Sequence, residues 1–279
     1  MKKFLLCALA ALLVLTASAF AEYDEGIWEI YEAEDGLTRD FDNDETAETL
    51  HFSFELDEYD DGGFTIGVGG QSLHKDDCIG LDARVLAMKT GYTYYYYGTL
   101  FMVSEYGPSD DPITYCFLYA EGKLMDIGMI PALAQSFEVR KDGLITTYVR
   151  ANMIGTWSRP ADFCLAMGSE YDDEGDWAPS YSICEVPRPM YQMGMIVTLK
   201  TDLVLSSSLY ESREDVMLMA GQKVILVAGD DVSRLYISSL DGLIGGWAVI
   251  MSEDWSDYIS VNGSYTDADE VFDGIFYAD

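Results

Sequence analysis

Between Asp40 and Glu48 the chain reads Asp-Phe-Asp-Asn-Asp-Glu-Thr-Ala-Glu, with acidic side chains at the first, third and fifth positions and a Glu at the ninth. Alternate positions of a short loop can turn Asp40, Asp42 and Asp44 toward one centre, and Glu48 can close the shell. An all-oxygen set of this kind suits Ca2+, a hard cation. Carboxylates a few ångströms apart repel by about 1 kcal/mol per pair even in bulk water, so a bound cation gives them a reason to converge. In so acidic a chain, a solvated acidic turn is the competing reading.

Catalytic chemistry has few carriers. His51 and His74 are the only histidines, and no G-x-S-x-G, H-E-x-x-H or Cys-His family signature is present. Carboxylate pairs of the glycosidase kind can always be drawn among 49 acidic residues, which deprives any one pair of meaning. A non-catalytic protein with no catalytic residues is therefore expected. Cys78, Cys116, Cys164 and Cys184 lie beyond the N-terminal segment and lack C-x-x-C spacing. They allow three pairings or four free thiols. Cys164 with Cys184 is the favoured pair, because about twenty residues separate them on two strand-like segments.

The N-terminus runs Met1-Lys2-Lys3, then apolar from Phe4 to Leu15, then Ala19-Phe20-Ala21 before Glu22. This pattern predicts a secretory signal peptide over 1–21 and a secreted, extracellular or wall-associated protein. No later run approaches the roughly 20 apolar residues of a spanning helix, so no transmembrane segment is expected. A net charge of −33 repels phosphate backbones and argues against nucleic acid as a partner. At 49% hydrophobic and 13% aromatic residues, the chain nevertheless has the material for a real core.

Strands must position these residues, since the hydrophobic period is mostly two. Ile27 to Ala33 and Thr49 to Leu56 flank the acidic loop, and a turn at Tyr59 to Gly63 leads into Phe64 to Val68. The pattern weakens from Gln71 to Thr90, where a loop with one helical turn is expected. Tyr92 to Tyr106 and Ile113 to Ala120 form the next pair. Lys123 to Ile130, Phe137 to Arg140, Leu144 to Arg150, Phe163 to Met167 and Tyr181 to Val186 extend an antiparallel meander, with Glu170 to Asp176 as a solvated loop. Pro187 and Pro189 mark a boundary. Five or six short strands then occupy 190–251, the size of a small barrel. The expected fold is all-β: an N-terminal antiparallel β domain over 22–188, a small barrel over 189–251, and an acidic C-terminal extension over 252–279.

Leu218 to Leu226, then Leu235-Tyr236-Ile237-Ser238, then Asp241-Gly242-Leu243-Ile244-Gly245-Gly246-Trp247-Ala248, resembles a bacterial SH3-like (SH3b) domain with its Gly-Trp last strand. The resemblance implies an SH3-like barrel that binds a cell-wall peptide or a protein partner, with Tyr210, Tyr236 and Trp247 lining its groove. The acidic loop and its flanking strands are similar to the calcium loop of VCBS and FG-GAP repeats, where Gly usually stands at the positions of Asn43 and Glu45. Those repeats build propellers from several copies, and a single copy here implies a structural Ca2+ loop and no propeller. The alternative reading is a carbohydrate-binding or adhesin-like module whose ligand lies on the sheet carrying Tyr92 and Tyr94 to Tyr97.

Overall fold

Alternating apolar residues bury one face of a strand, whereas unbroken apolar runs mark strands covered on both faces. Both kinds occur in the computed structural model, which describes residues 29–276 apart from 93–94, 109–110, 152, 172–176, 189, 210–213, 254–255 and 262. The signal-type segment 1–21, Tyr94 and Tyr210 lie outside the described residues.

In the N-terminal half the chain forms β1 (Tyr31–Ala33), β2 (Thr38–Arg39), β3 (Glu48–Leu56), β4 (Gly62–Val68), β5 (Gln71–Cys78), β6 (Val85–Tyr92), β7 (Tyr95–Glu105), β8 (Ile113–Ala120) and β9 (Lys123–Ile130). These pair antiparallel as two sheets, in the orders β2-β3-β4-β5 and β1-β6-β7-β8-β9. A third sheet follows from β10 (Glu138–Val139), β11 (Ile145–Ala151), β12 (Trp157–Tyr171) and β13 (Trp177–Glu185), in chain order.

The five-stranded sheet is the middle layer. Phe101 and Val103 on β7 and Phe117 and Tyr119 on β8 pack against Leu50, Phe64, Ile66 and Val68 of the β2–β5 sheet. The alternate residues Leu100, Met102, Cys116, Leu118 and Ala120 pack against Ile145, Val149, Ala161 and Phe163 of the β10–β13 sheet. Two-sided burial accounts for the unbroken apolar runs in β7 and β8. The polar atoms trapped there find partners: the Ser104 and Thr114 hydroxyls lie 2.9 Å apart, and Thr114 Oγ1 donates to the Ala132 carbonyl.

The expectation of a loop with a helical turn between Gln71 and Thr90 is corrected by β5 and most of β6. β5 (QSLHKDDC) is an edge strand with one wet face. A strand of this kind needs few apolar residues, so its composition hides it.

In the C-terminal half the strands are β14 (Tyr191–Leu199), β15 (Leu203–Ser206), β16 (Glu214–Leu218), β17 (Lys223–Gly229), β18 (Arg234–Ser239), β19 (Gly245–Glu253), β20 (Ser256–Val261), β21 (Ser264–Asp267) and β22 (Phe272–Asp273). The one-turn helix α1 (Ala268–Val271) precedes β22, its first turn capped by the Asp267 carboxylate accepting from the Asp269 amide. The order is β16-β15-β19-β18-β17-β14-β22, with β20 and β21 added beyond β19. Among the described residues no sheet closes on itself into a barrel. Residues 256–273, read from the sequence as an extension, enter this sheet and its core: Ile259, Ala268, Val271 and Phe272 are buried with Leu205, Val224, Leu226 and Ile237. Met153 and Ile154, in the segment joining β11 to β12, are buried in the same core. The Ile154 amide donates to Asp257 Oδ2 at 2.6 Å and the Thr156 amide to the Phe276 carbonyl at 2.8 Å, so the two halves interlock.

The buried Asp162 carboxylate on β12 anchors an ion network with partly exposed arginines. Asp162 accepts from Thr146 Oγ1 at 2.7 Å, is held by Arg188, and lies 3.6 Å from Arg140. Burial alone would raise its carboxyl, but Arg188, Thr146 and Arg140 outweigh burial and hold it below the ordinary carboxylate range. The folded-state pKa thus lies below the unfolded value of about 3.9, so its contribution to stability is complete above that pH and is lost as pH falls through the folded value. Asp162→Asn is expected to lower stability at pH 7 by about 1–3 kcal/mol, because Arg188 is left unpaired. It is also expected to flatten the acid limb of the urea midpoint below about pH 4. Superimposable acid limbs for the two proteins would contradict the role given to this network.

Candidate functional site

The acidic loop joins β2 to β3, and three of its four candidate ligands meet. One carboxylate oxygen each from Asp40, Asp42 and Glu48 lies within 4.8 Å of the others. Asp44 does not join them; it is exposed, and its Oδ1 accepts from the Thr46 amide at 2.7 Å. It sits between two left-handed residues, Asn43 at φ 62° and Glu45 at φ 71°. These are the positions where the resembling repeats carry Gly. A left-handed Glu costs about 1 kcal/mol or more. The Asp40 carboxylate offsets this by accepting from the Asp44 and Glu45 amides at 3.2 and 3.0 Å.

Phe41 holds the loop in place. Its ring is fully buried and meets Phe101 edge-on with centroids 5.3 Å apart. Its carbonyl accepts from Thr99 Oγ1 at 2.7 Å and its amide donates to Glu48 Oε2 at 3.1 Å. Asp42 reaches the turn between β8 and β9, where its Oδ2 accepts from the Gly122 amide at 2.6 Å. Gln71 secures the same turn through the Gly122 carbonyl and the Leu124 amide. The remaining oxygen, Asp42 Oδ1, is buried and has no hydrogen-bond donor among the described residues. A buried carboxylate oxygen in that position is costly unless a cation meets it. The nearby Tyr119 phenol reports the local field: burial, and then the carboxylates of Glu48, Asp42 and Asp44, push it up to about 12. Chemically, the set Asp40, Asp42 and Glu48 fits a hard divalent cation whose other ligands are water or carbonyl oxygen.

The candidate aromatic site is assembled across two strands. Tyr236 on β18 and Trp247 on β19 are direct register partners, with ring centroids 4.9 Å apart. Both are half-buried, while their neighbours Leu235, Ile237 and Ala248 point into the core, so the pair lies on the outer face of the sheet. Ser206 on β15 pairs with Trp247 and continues the row. The double glycine ahead of Trp247 is steric in origin: a Cβ on Gly246 would lie 2.8 Å from the Ser206 carbonyl oxygen and from Leu205 Cβ, and one on Gly245 would meet the Tyr236 hydroxyl at 2.8 Å.

Of the tyrosine run, Tyr97 packs edge-on against Tyr181 at 6.2 Å. His51 faces Asp35 at 3.4 Å on the outer side of the first sheet. His74 stands between a cross-strand neighbour and a residue two positions along its own strand: Nδ1 lies 2.9 Å from Thr65 Oγ1 on β4 and Nε2 lies 2.6 Å from Asp76 Oδ1 on β5. The His74 and Asp76 side chains are 44% and 75% exposed, a setting in which water screens the charges that catalysis would have to stabilise. Phe41 and Gly122 were missed. An apolar residue between two Asp was the visible sign for Phe41, whereas Gly122 is 80 residues from Asp42 and leaves no local trace.

Gly246→Ala is expected to push β15 from β19 and cost about 1–3 kcal/mol, read as a lower urea midpoint together with a weaker near-ultraviolet signal from the Tyr236–Trp247 pair. An unchanged midpoint would show that the close approach does not constrain the strand. Comparison with protein-family models, with curated proteins and with solved structures gives no match for this chain.

Proposed function

We propose that this chain is an exported, non-catalytic binding protein in which Ca2+ clips the N-terminal half together and an SH3-like C-terminal half recognises a cell-wall peptide or a protein partner. The observation that carries the clip is the convergence of Asp40, Asp42 and Glu48 around a buried Asp42 oxygen without a donor. A cation there neutralises the repulsion and joins the β2–β3 connection to the β8–β9 turn through Asp42. Its role is structural, since the ligands come from a loop bolted to the core by Phe41.

Recognition belongs to the outer face of the C-terminal sheet. The β15–β16 hairpin, the β17–β18–β19 meander and the Gly-Gly-Trp entry into β19 support the SH3-like reading, with Ser206 and Trp247 linking hairpin to meander. Tyr236 and Trp247 offer a rigid amphipathic surface of the sort that anchors peptides at low entropic cost. The signal-type N-terminus supports a location outside the cell, where a wall peptide is within reach.

The test is retention of the full-length protein on purified peptidoglycan and on insoluble polysaccharides. Retention on peptidoglycan is expected, with Trp247→Ala weakening it by roughly 30-fold, the effect of losing an aromatic anchor worth about 2 kcal/mol. Retention on polysaccharide that is indifferent to Trp247→Ala would instead favour the carbohydrate-binding reading and the sheet that carries Tyr97.

A further inference from the structure

We propose that Cys164 and Cys184 are an oxidation site: they form a cross-strand disulfide when the protein meets a disulfide-bearing oxidant. The two are direct register partners on β12 and β13. Directly opposed residues of an antiparallel pair have Cα atoms about 4.5–5.5 Å apart, inside the roughly 4.4–6.8 Å window of disulfides. The adjacent register pair, Leu165 with Ile183, packs on the core, so both thiols share the opposite face. Cys184 is exposed and Cys164 half-buried, so an oxidant reaches Cys184 first. Its sulfur rests 3.3 Å from Ser182 Oγ, two residues back on the same strand face as the thiol pair. Cys78 and Cys116 do not compete, because each is buried in a different core. β13 is an edge strand, paired on one side only, so the bond would tie down an edge of the third layer.

The step is thiol–disulfide exchange. The Cys184 thiolate attacks one sulfur of the oxidant, giving a mixed disulfide and releasing one thiolate. The Cys164 thiolate then attacks the Cys184 sulfur and releases the second. Two protein thiols are oxidised, one oxidant disulfide is reduced, and the two cysteine protons end on the two released thiols.

The reduced full-length protein is incubated with oxidised glutathione, alkylated, and cut with a protease specific for acidic residues, which separates the two cysteines. Mass spectrometry is expected to find the Cys164 and Cys184 peptides joined, with Cys78 and Cys116 alkylated only after unfolding. In Cys164→Ser, glutathione is expected to stay attached to Cys184. Stable glutathione on Cys184 of the wild type, a link to any other cysteine, no link at all, or a Cys164→Ser protein that carries no adduct would each overturn the assignment.

Discussion

Asp42 is held by two demands that pull on one carboxylate. One oxygen takes the Gly122 amide and thereby ties the acidic loop to a turn of the middle sheet. The other is buried beside Asp40 and Glu48 with no donor among the described residues. Neither can be relaxed cheaply, because Phe41 next to it is sealed in the first core and hydrogen-bonded through its carbonyl to Thr99. The loop is thus fixed by packing in a geometry that electrostatics alone opposes, and a divalent cation, as proposed, would reconcile the two. The other two carboxylates of the cluster accept chain amides: Asp40 takes those of Asp44 and Glu45, and Glu48 takes that of Phe41.

Around that point the protein is layered. The middle sheet is buried on both faces, which gives the N-terminal half two cores on either side of β7 and β8. The third core belongs to the C-terminal sheet, yet it borrows Met153 and Ile154 from the segment that joins β11 to β12. Ile154 adopts φ 54°, a strained value for a β-branched residue, and its amide is held by Asp257. Arg159 and Tyr191 reinforce the same junction. The guanidinium pairs with Glu185 and Asp231 and lies over the Tyr191 ring, while the Tyr191 hydroxyl donates to Asp231. Burial first, and then Asp231, drive that phenol far above its ordinary range.

The all-β class could be read from period-two patterning, which strands such as β3 and β11 follow closely, whereas β8 was legible as a short unbroken apolar run between turn residues. β5 escaped because an edge strand with a wet face looks like a loop when only hydrophobicity is counted. The tail at 256–273 looked like an appendage because its strands are short and acidic, although Ile259, Val271 and Phe272 are buried. At the acidic loop, spacing identified Asp40, Asp42 and Glu48, but it could not separate them from Asp44, whose direction depends on left-handed backbone on both sides. Tyr236 and Trp247 are 11 positions apart and meet only through strand register, which neither periodicity nor the Gly-Gly-Trp resemblance specifies.

The proposed binding role joins two features: an acidic loop whose three carboxylates converge at Asp42, and the Tyr236–Trp247 pair on the outer face of a separate sheet. A Ca2+ ion at Asp42 is central to that proposed role. Isothermal titration of Ca2+ into the EDTA-treated, dialysed full-length protein addresses it most directly, with Asp42→Asn as the paired sample because it keeps the side-chain shape while removing the charge. One saturable Ca2+ site per chain, abolished by Asp42→Asn, is expected. No saturable heat, or a site that Asp42→Asn leaves intact, would contradict it.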